Sequence, residues 1–473
     1  MKNSLLPLRA QNHKMFPSNH LRVANMKEQP SSLKQKNLLD RILGLVAEVH
    51  PGEAVTAILL ATNLFLLLAA YYIIRPVREA LILTGGGAEI KSYTGAFHAL
   101  LFLFIVPAYG VFAAKVNRMR LINWLFIIFA SNLVIFFFLG KTGIPLGIPF
   151  FLWVGIFNLM AIAQIWSFSN DLYTPEQGKR LFAIVGIGSS VGAIAGSKIA
   201  GMLIKPVGIY GMMLVSAAIL LFCLVLTNLI NRREKSEGTA TAQKVIAEQP
   251  LGPEGGFQLI LKHRYLLFIG LLTLLINVVN TNGEYMLGKT ISREAAEAIV
   301  AGTGGGLNEG ELIGSYYADF QFWQNLLGAL IQLFLVSRIL KYFGIRVALF
   351  IMPLISLFGY SLFAAAPIFA YIRIAKILEN STDYSLQNTV RRALFLLTSR
   401  EAKYKALQAV ETFFWRTGDM ISGLLVFAGI RLLQLSTVAM INIALVAAWI
   451  LLATGIAREH RKLAAQRDEL AAA

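Results

Sequence analysis

Apolar runs long enough to cross a lipid bilayer, about twenty residues each, recur along most of the chain and cut it into twelve segments. They centre near residues 68, 104, 130, 160, 191, 219, 275, 324, 354, 380, 417 and 446. Backbone inside hydrocarbon must satisfy its own hydrogen bonds, so runs of this length are predicted to be helices. The composition agrees, with 56% of residues hydrophobic and 15% charged, far more apolar than a dispersed globule. The predicted fold class is an all-α membrane protein.

The polar stretch 231–256, rich in Gly, Thr and Pro, separates six segments from the other six and reads as a linker. The expected organisation is an N-terminal arm (1–52), a six-helix bundle (53–231), a linker (232–263), a second bundle (264–457) and a tail (458–473). Within the arm, leucine and isoleucine at helical spacing over 37–50 predict a helix lying on the membrane surface, and no cleaved signal is expected. Lys115, Arg118 and Arg120 in the second connection, with Arg338, Lys341 and Arg346 in the eighth, put those connections, the linker and both termini on the cytoplasmic side. The halves also repeat. One offset carries Lys115 onto Lys341, Arg120 onto Arg346, Lys179 onto Lys405 and Gly192 onto Gly418. A shorter offset carries Glu79 onto Glu284, and the difference matches the extra polar connection at 291–311. Two parallel six-helix repeats are the pattern of major facilitator-like carriers, whose solute site lies near the bilayer midplane between the halves.

The net charge of +17, from 43 Lys+Arg against 26 Asp+Glu, would raise the question of nucleic acid in a soluble chain. Here the basic residues cluster in short connections with no base-reading motif beside them, so no nucleic-acid partner is expected. The single cysteine, Cys223, sits in an apolar run and reads as a packing residue.

An ionised side chain at the centre of a span costs at least roughly 2.5–3.5 kcal/mol, so such groups are expected to face an interior chamber. The first segment carries Arg75, Arg78 and Glu79, with Arg75 and Glu79 spaced to pair on one helical face. Lys198 lies in the fifth and Asp319 in the eighth; Asn277, Asn280 and Glu284 share one side of the seventh. The tenth carries a polar stripe of Arg373, Lys376, Asn380, Asp383 and Gln387, with Glu379 beside it; the eleventh adds Glu411, Arg416 and Asp419. Six of these, Arg75, Arg78, Lys198, Arg373, Lys376 and Arg416, are cations, and guanidinium forks suit phosphate oxygens. The carboxylates either hold the cations or carry a coupling proton. The alternative is that the charges pair into inert structural bridges. Arg391 and Arg392, near a span end, are expected to reach for the interface. Tyr71, Tyr72, Trp166, Trp323 and Tyr384 are available to stack on a base or simply to pack.

The glycine-rich stretch 185–192 has the wrong spacing for a dinucleotide loop and follows no strand. Gly188, Gly192 and Gly196 at four-residue intervals instead predict a surface for close helix contact. The sequence holds no metal-ligand cluster, Walker A lysine or nucleophile elbow, so neither metal, cofactor nor enzymatic activity is expected.

Several motifs resemble those of the ATP/ADP antiporter family of plastids and intracellular bacteria. YYIIRPVREALIL is similar to that family's first-span signature, with Arg75, Arg78 and Glu79 in its basic and acidic places. WSFSNDLYTPEQGKRLFAIVGIGSSVGAIAG resembles a second segment through Trp166, Asn170, Lys179, Arg180, Gly186 and Gly188. YSLQNTVRRALFLL resembles a third, with Arg391 at a lysine place and Lys405 at a further one. The likeness runs from Ala54 to Gly423. It departs at Val154, apolar where the family is acidic, at Asp383, where the family has lysine, and at Asn388, which replaces an aspartate. The resemblance implies a monomeric nucleotide carrier, or a branch moving another anion or a proton-coupled solute, placed in a bacterial inner membrane. The solute-contacting set expected from spans and resemblance together is Arg75, Arg78, Glu79, Asn170, Lys198, Asn280, Glu284, Arg373, Lys376, Asn380, Asp383 and Arg416. The expected gate, latching the halves through their cytoplasmic loops, comprises Lys115, Arg120, Lys179, Lys341, Arg346 and Lys405. Two other readings stay open: a proton-coupled carrier of a non-phosphorylated solute, and a membrane scaffold or sensor.

Overall fold

The computed structural model describes residues 48–50, 53–236, 256–399 and 402–472, all in helices and short connections. Most of the helix expected over 37–50 and most of the linker lie outside the described residues, and the described end, 48–50, is not helical. In chain order the helices are α1 Glu53–Lys115, α2 Arg118–Lys141, α3 Gly147–Leu172, α4 Pro175–Ser236, α5 Gly256–Lys262, α6 Arg264–Val300 and α7 Glu309–Leu330. There follow α8 Val336–Tyr342, α9 Gly344–Ala365, α10 Phe369–Thr382, α11 Asn388–Leu394, α12 Leu407–Ala409, α13 Trp415–Ala428 and α14 Leu435–Ala472. Wide π turns at Ile331–Leu335, Asp383–Gln387, Ala402–Ala406 and Val410–Phe414 adjoin the shorter helices.

Local chemistry sets the boundaries. Asn117 caps α2 by accepting from the backbone of Met119 and Arg120 at 3.1 and 3.4 Å. Asn308 and Glu311 form a reciprocal capping box at the start of α7. The two longest helices are each broken at a glycine whose φ an L side chain rarely adopts, Gly87 at 71° in α1 and Gly208 at 72° in α4.

Polarity is distributed inside out relative to a soluble protein. Phe104, Trp124, Phe138, Phe358 and Leu451 stand exposed, whereas Glu79, Lys376, Glu379 and Asp383 are buried. That is the pattern of a body solvated by lipid around a polar interior, and eight of the described helices are long and apolar enough to cross a membrane. The stretch 369–428 is not among them, because the charges of its polar stripe dilute its hydropathy. Buried apolar side chains gather in two clusters. One is built almost wholly from residues 49–230, around Leu60, Phe157 and Leu220; the other comes mainly from 259–456, around Tyr317, Phe363 and Trp449. In the first, Gly188, Gly192 and Gly196 of α4 lie directly on the α1 backbone at Ala61, Phe65 and Ala69, the close contact their spacing predicts. Cys223 is buried in the same cluster.

Candidate solute-binding cavity

A cavity of about 280 Å³ opens between these two bodies, walled by α1, α3, α6, α10, α13 and the π turn at Asp383–Gln387. It collects seven of the twelve side chains expected from sequence: Arg75, Arg78, Glu79, Asn280, Glu284, Asn380 and Arg416. The other five do not line it. Asn170 is exposed at the far end of α3, and Lys198 is exposed with its ammonium over the Phe322 ring. Arg373 pairs with Asp319 outside the cavity. Lys376 and Asp383 are buried behind the wall. Helical spacing fixes which residues share a face but not which face meets the chamber, and that is why a continuous stripe along α10 is only partly used.

Lys91, Ser92 and His98 of α1, with Thr281, Tyr285, Trp415 and Asp419, also line it and were absent from the expected set. Lys91, Gly95 and His98 do follow one another at helical spacing. The signal was masked because GAEIKSYTG is polar enough to read as a connection.

The charges form a chain. Glu79 accepts from Arg78 Nε at 3.0 Å and meets the Lys91 ammonium at 2.7 Å. Lys91 and Lys376 each stand 3.8 Å from Glu284. Lys376, wholly buried, donates to Glu379 at 2.9 Å and to the Asn280 side chain at 2.7 Å. Glu379 also receives Tyr360 Oη–H at 2.7 Å and Ser356 Oγ–H at 3.2 Å. The network therefore links α1 to α6 and α10 with three cations and three carboxylates. Separately, Arg416 faces Asp419 at 3.4 Å, and Asn277 donates to the same carboxylate at 2.8 Å. The pairing expected between Arg75 and Glu79 does not occur. Glu79 is held by Arg78 and Lys91, and Arg75 instead lies over the Tyr72 ring, 5.5 Å from its centroid.

Aromatic groups divide by use. Arg78 covers Phe151 and Arg391 covers Trp415, at 4.7 and 4.5 Å from the ring centroids. Arg391 thus turns inward rather than toward the interface, whereas Arg392 reaches Glu411 at 3.5 Å. Trp166 packs on Phe182, and Trp323 on Phe322. Tyr384, 54% exposed, is the expected aromatic that lines the cavity.

At the end marked by Gly87, Glu89 receives Lys289 of α6 and, at 3.0 Å, Tyr285 Oη–H. Lys205 donates to the Gly305 carbonyl at 3.1 Å on the same side. These bonds tie the two bodies together at that end. Both side chains of the Glu89–Lys289 pair are partly exposed, so its contribution is at most about 1 kcal/mol, or roughly fivefold in an opening equilibrium. We predict that Glu89→Ala raises the labelling of a cysteine placed at Ser92 by an impermeant maleimide from that side, by up to about fivefold. Unchanged labelling would show that the pair does not hold the closure.

Four of the six residues expected to latch the opposite end are unbonded among the described residues. The side chains of Lys115, Arg120, Lys341 and Arg346 make no hydrogen bond or ion pair among the described residues, and Arg118 is taken by Asp171 of α3. The Lys179 side chain lies outside the described residues, and Lys405 lies on the π turn at Ala402–Ala406.

The arrangement of helices is shared with solved membrane transporters. The chain superposes on the nucleoside transporter NupG with a TM-score of 0.62 at 12% identity, covering 85% of this chain and 99% of that one. It also superposes on a bacterial homologue of the iron transporter ferroportin in its inward-facing state, at 0.61 and 14% identity, covering 85% and 98%. Together with the lipid-facing exterior, this defines a multi-pass integral membrane protein with a transporter fold.

In sequence the chain is similar to ADP,ATP carrier protein 1 of Chlamydia muridarum, 22% identical over 359 residues. It is equally similar, 22% over 359 residues, to the protein of that name from Chlamydia trachomatis. The matches span 66% of this chain but only 64% and 65% of those relatives' lengths. No family model matches the chain. The resemblance drawn from the motifs and the resemblance found across the chain therefore point to the same carriers.

Proposed function

We propose that the chain is a carrier of a nucleotide or related phosphorylated anion, working by alternating access between two six-helix bundles, 53–231 and 264–457. A helix of 63 residues would extend about 95 Å, three times the hydrocarbon thickness. Breaks at Gly87 and Gly208 let α1 and α4 each supply two crossings; with the polar stretch 369–428 supplying two more, the count reaches twelve. The observation that carries the reading is the cavity itself, where Arg75, Arg78 and Lys91 from one body face Arg416 from the other. The captured state is closed near Gly87 and open toward the loops around Arg118 and Arg338; the basic latch belongs to the opposite state. We place those loops and both termini in the cytoplasm, in a bacterial inner membrane, with a monomer as the working unit. The relatives named ADP,ATP carriers support the cargo class.

Reconstituted protein should take up labelled adenine nucleotide into liposomes under a counter-gradient. Absence of uptake for every phosphorylated compound tested, with or without a proton gradient, would remove the reading. A proton-coupled carrier of a non-phosphorylated solute draws support from Asp383, 2% exposed with one carboxylate oxygen lacking any hydrogen-bond partner. Flux that follows a pH gradient and ignores nucleotides would favour it.

A further inference from the structure

The cavity has cations to spare by count, but not by pairing. Arg78, Lys91 and Lys376 are bound to Glu79, Glu284 and Glu379 in one closed network, and Arg416 is bound to Asp419. The remaining cation of the lining, Arg75, has no ion-pair partner among the described residues. Among the described residues its only hydrogen bond is a 3.5 Å contact from Nη1 to the Tyr72 hydroxyl, and its Nε, shut away from solvent, has none. A second group is similarly unspent. His98 is 9% exposed, lines the same cavity, and its Nε2 has no partner. Room for that ring comes from Gly155, where any side chain would collide with the imidazole.

We propose that the cavity admits a solute with a single phosphoryl group, a phosphate monoester, in preference to a nucleoside di- or triphosphate; this rests on the reading of the cavity as a site for phosphorylated anions. One planar guanidinium can hold two oxygens of one phosphoryl group in bidentate fashion, and a turn of the His98 ring, whose Nε2 is shut away beside Gly155, would add a further hydrogen bond. A second or third phosphoryl group would have to draw on Arg78, Lys91 or Arg416. Arg78 and Lys91 are already bonded to the buried Glu79 and Arg416 to the largely buried Asp419, and recruiting any of them strips a carboxylate of its partner. Tyr384, which makes no ring contact or hydrogen bond among the described residues, is free to stack on the non-phosphorylated part.

The test compares AMP, ADP and ATP on the full-length protein, by ligand-induced thermal shift in detergent and by uptake into liposomes. AMP is expected to bind at least about tenfold more tightly than ADP or ATP, the margin set by charge-assisted bonds to one phosphoryl group. Arg75→Gln is expected to abolish the preference for AMP over adenosine, and Arg75→Lys, which keeps the charge but not the fork, to retain part of it. The lysine variant also guards against a glutamine variant that fails to fold. ADP or ATP binding as tightly as AMP would overturn the monoester assignment and leave the phosphorylated-anion reading standing. If AMP, ADP, ATP and inorganic phosphate all fail to bind, both fall together. An AMP preference that survives Arg75→Gln would also overturn the assignment.

Discussion

Lys376→Met should destabilise the protein by about 3–5 kcal/mol, the cost of leaving a buried carboxylate without its counter-charge. Glu379, at 1% exposure, would keep only the hydroxyls of Tyr360 and Ser356, and Glu284 would lose one of its two ammonium neighbours. Adding Glu379→Gln should restore most of that loss, since the pair is then removed as a unit. An amide can still accept from Tyr360, and Met fills the space of the lysine stem. Thermal or denaturant unfolding of the two single variants and the double variant in detergent gives the coupling directly. A single variant as stable as the parent would show that the network is not holding α10 against α6. Transport offers a second readout that separates the roles. The double variant should fold yet carry poorly, because Lys376 also orients Asn280, a cavity residue, by a 2.7 Å bond.

This network also shows how far a sequence can be read. Arg78, Glu79, Glu284 and Asn380 were legible because each breaks an apolar run, and hydrocarbon makes such breaks expensive. Their partnership was not. Arg75 and Glu79 have the spacing of an intrahelical pair, yet Lys91, reaching back from beyond the break at Gly87, competes for the carboxylate and leaves Arg75 unpaired. Nothing in a one-dimensional pattern reports a chain that turns back on itself. For the same reason a cation such as Lys198, on a small-residue helix, could be placed in a span but not in a chamber. Counting cations overstated the positive character of the site, because three of the expected six line the cavity and two of those are paired.

The glycine surface of α4 was legible in both position and role, and it supports the second prediction of large effect. Gly192→Leu should prevent the protein from reaching its folded state, and Gly192→Ala should cost about 1–3 kcal/mol. A Cβ at Gly188, Gly192 or Gly196 would fall on the backbone carbonyl oxygens of Ala61, Phe65 and Ala69, which a helix cannot move without parting from its neighbour. In lipid no hydrophobic force draws two helices together, so the contact relies on close van der Waals packing that any added methyl group forfeits. Gly186, less than two turns earlier on the same helix, supplies the control, because nothing lies within 4 Å of its would-be Cβ. Gly186→Ala should be neutral, or stabilising by about 0.5–1 kcal/mol through helix propensity alone. Detergent size-exclusion profiles and melting temperatures of the two alanine variants decide the matter, since propensity favours both equally and only the contact distinguishes them. Equal behaviour would mean that α1 and α4 are held by something other than backbone approach. The cavity would then lose its frame, for Arg75 and Glu79 stand on α1 within three turns of the glycine-packed residue Ala69.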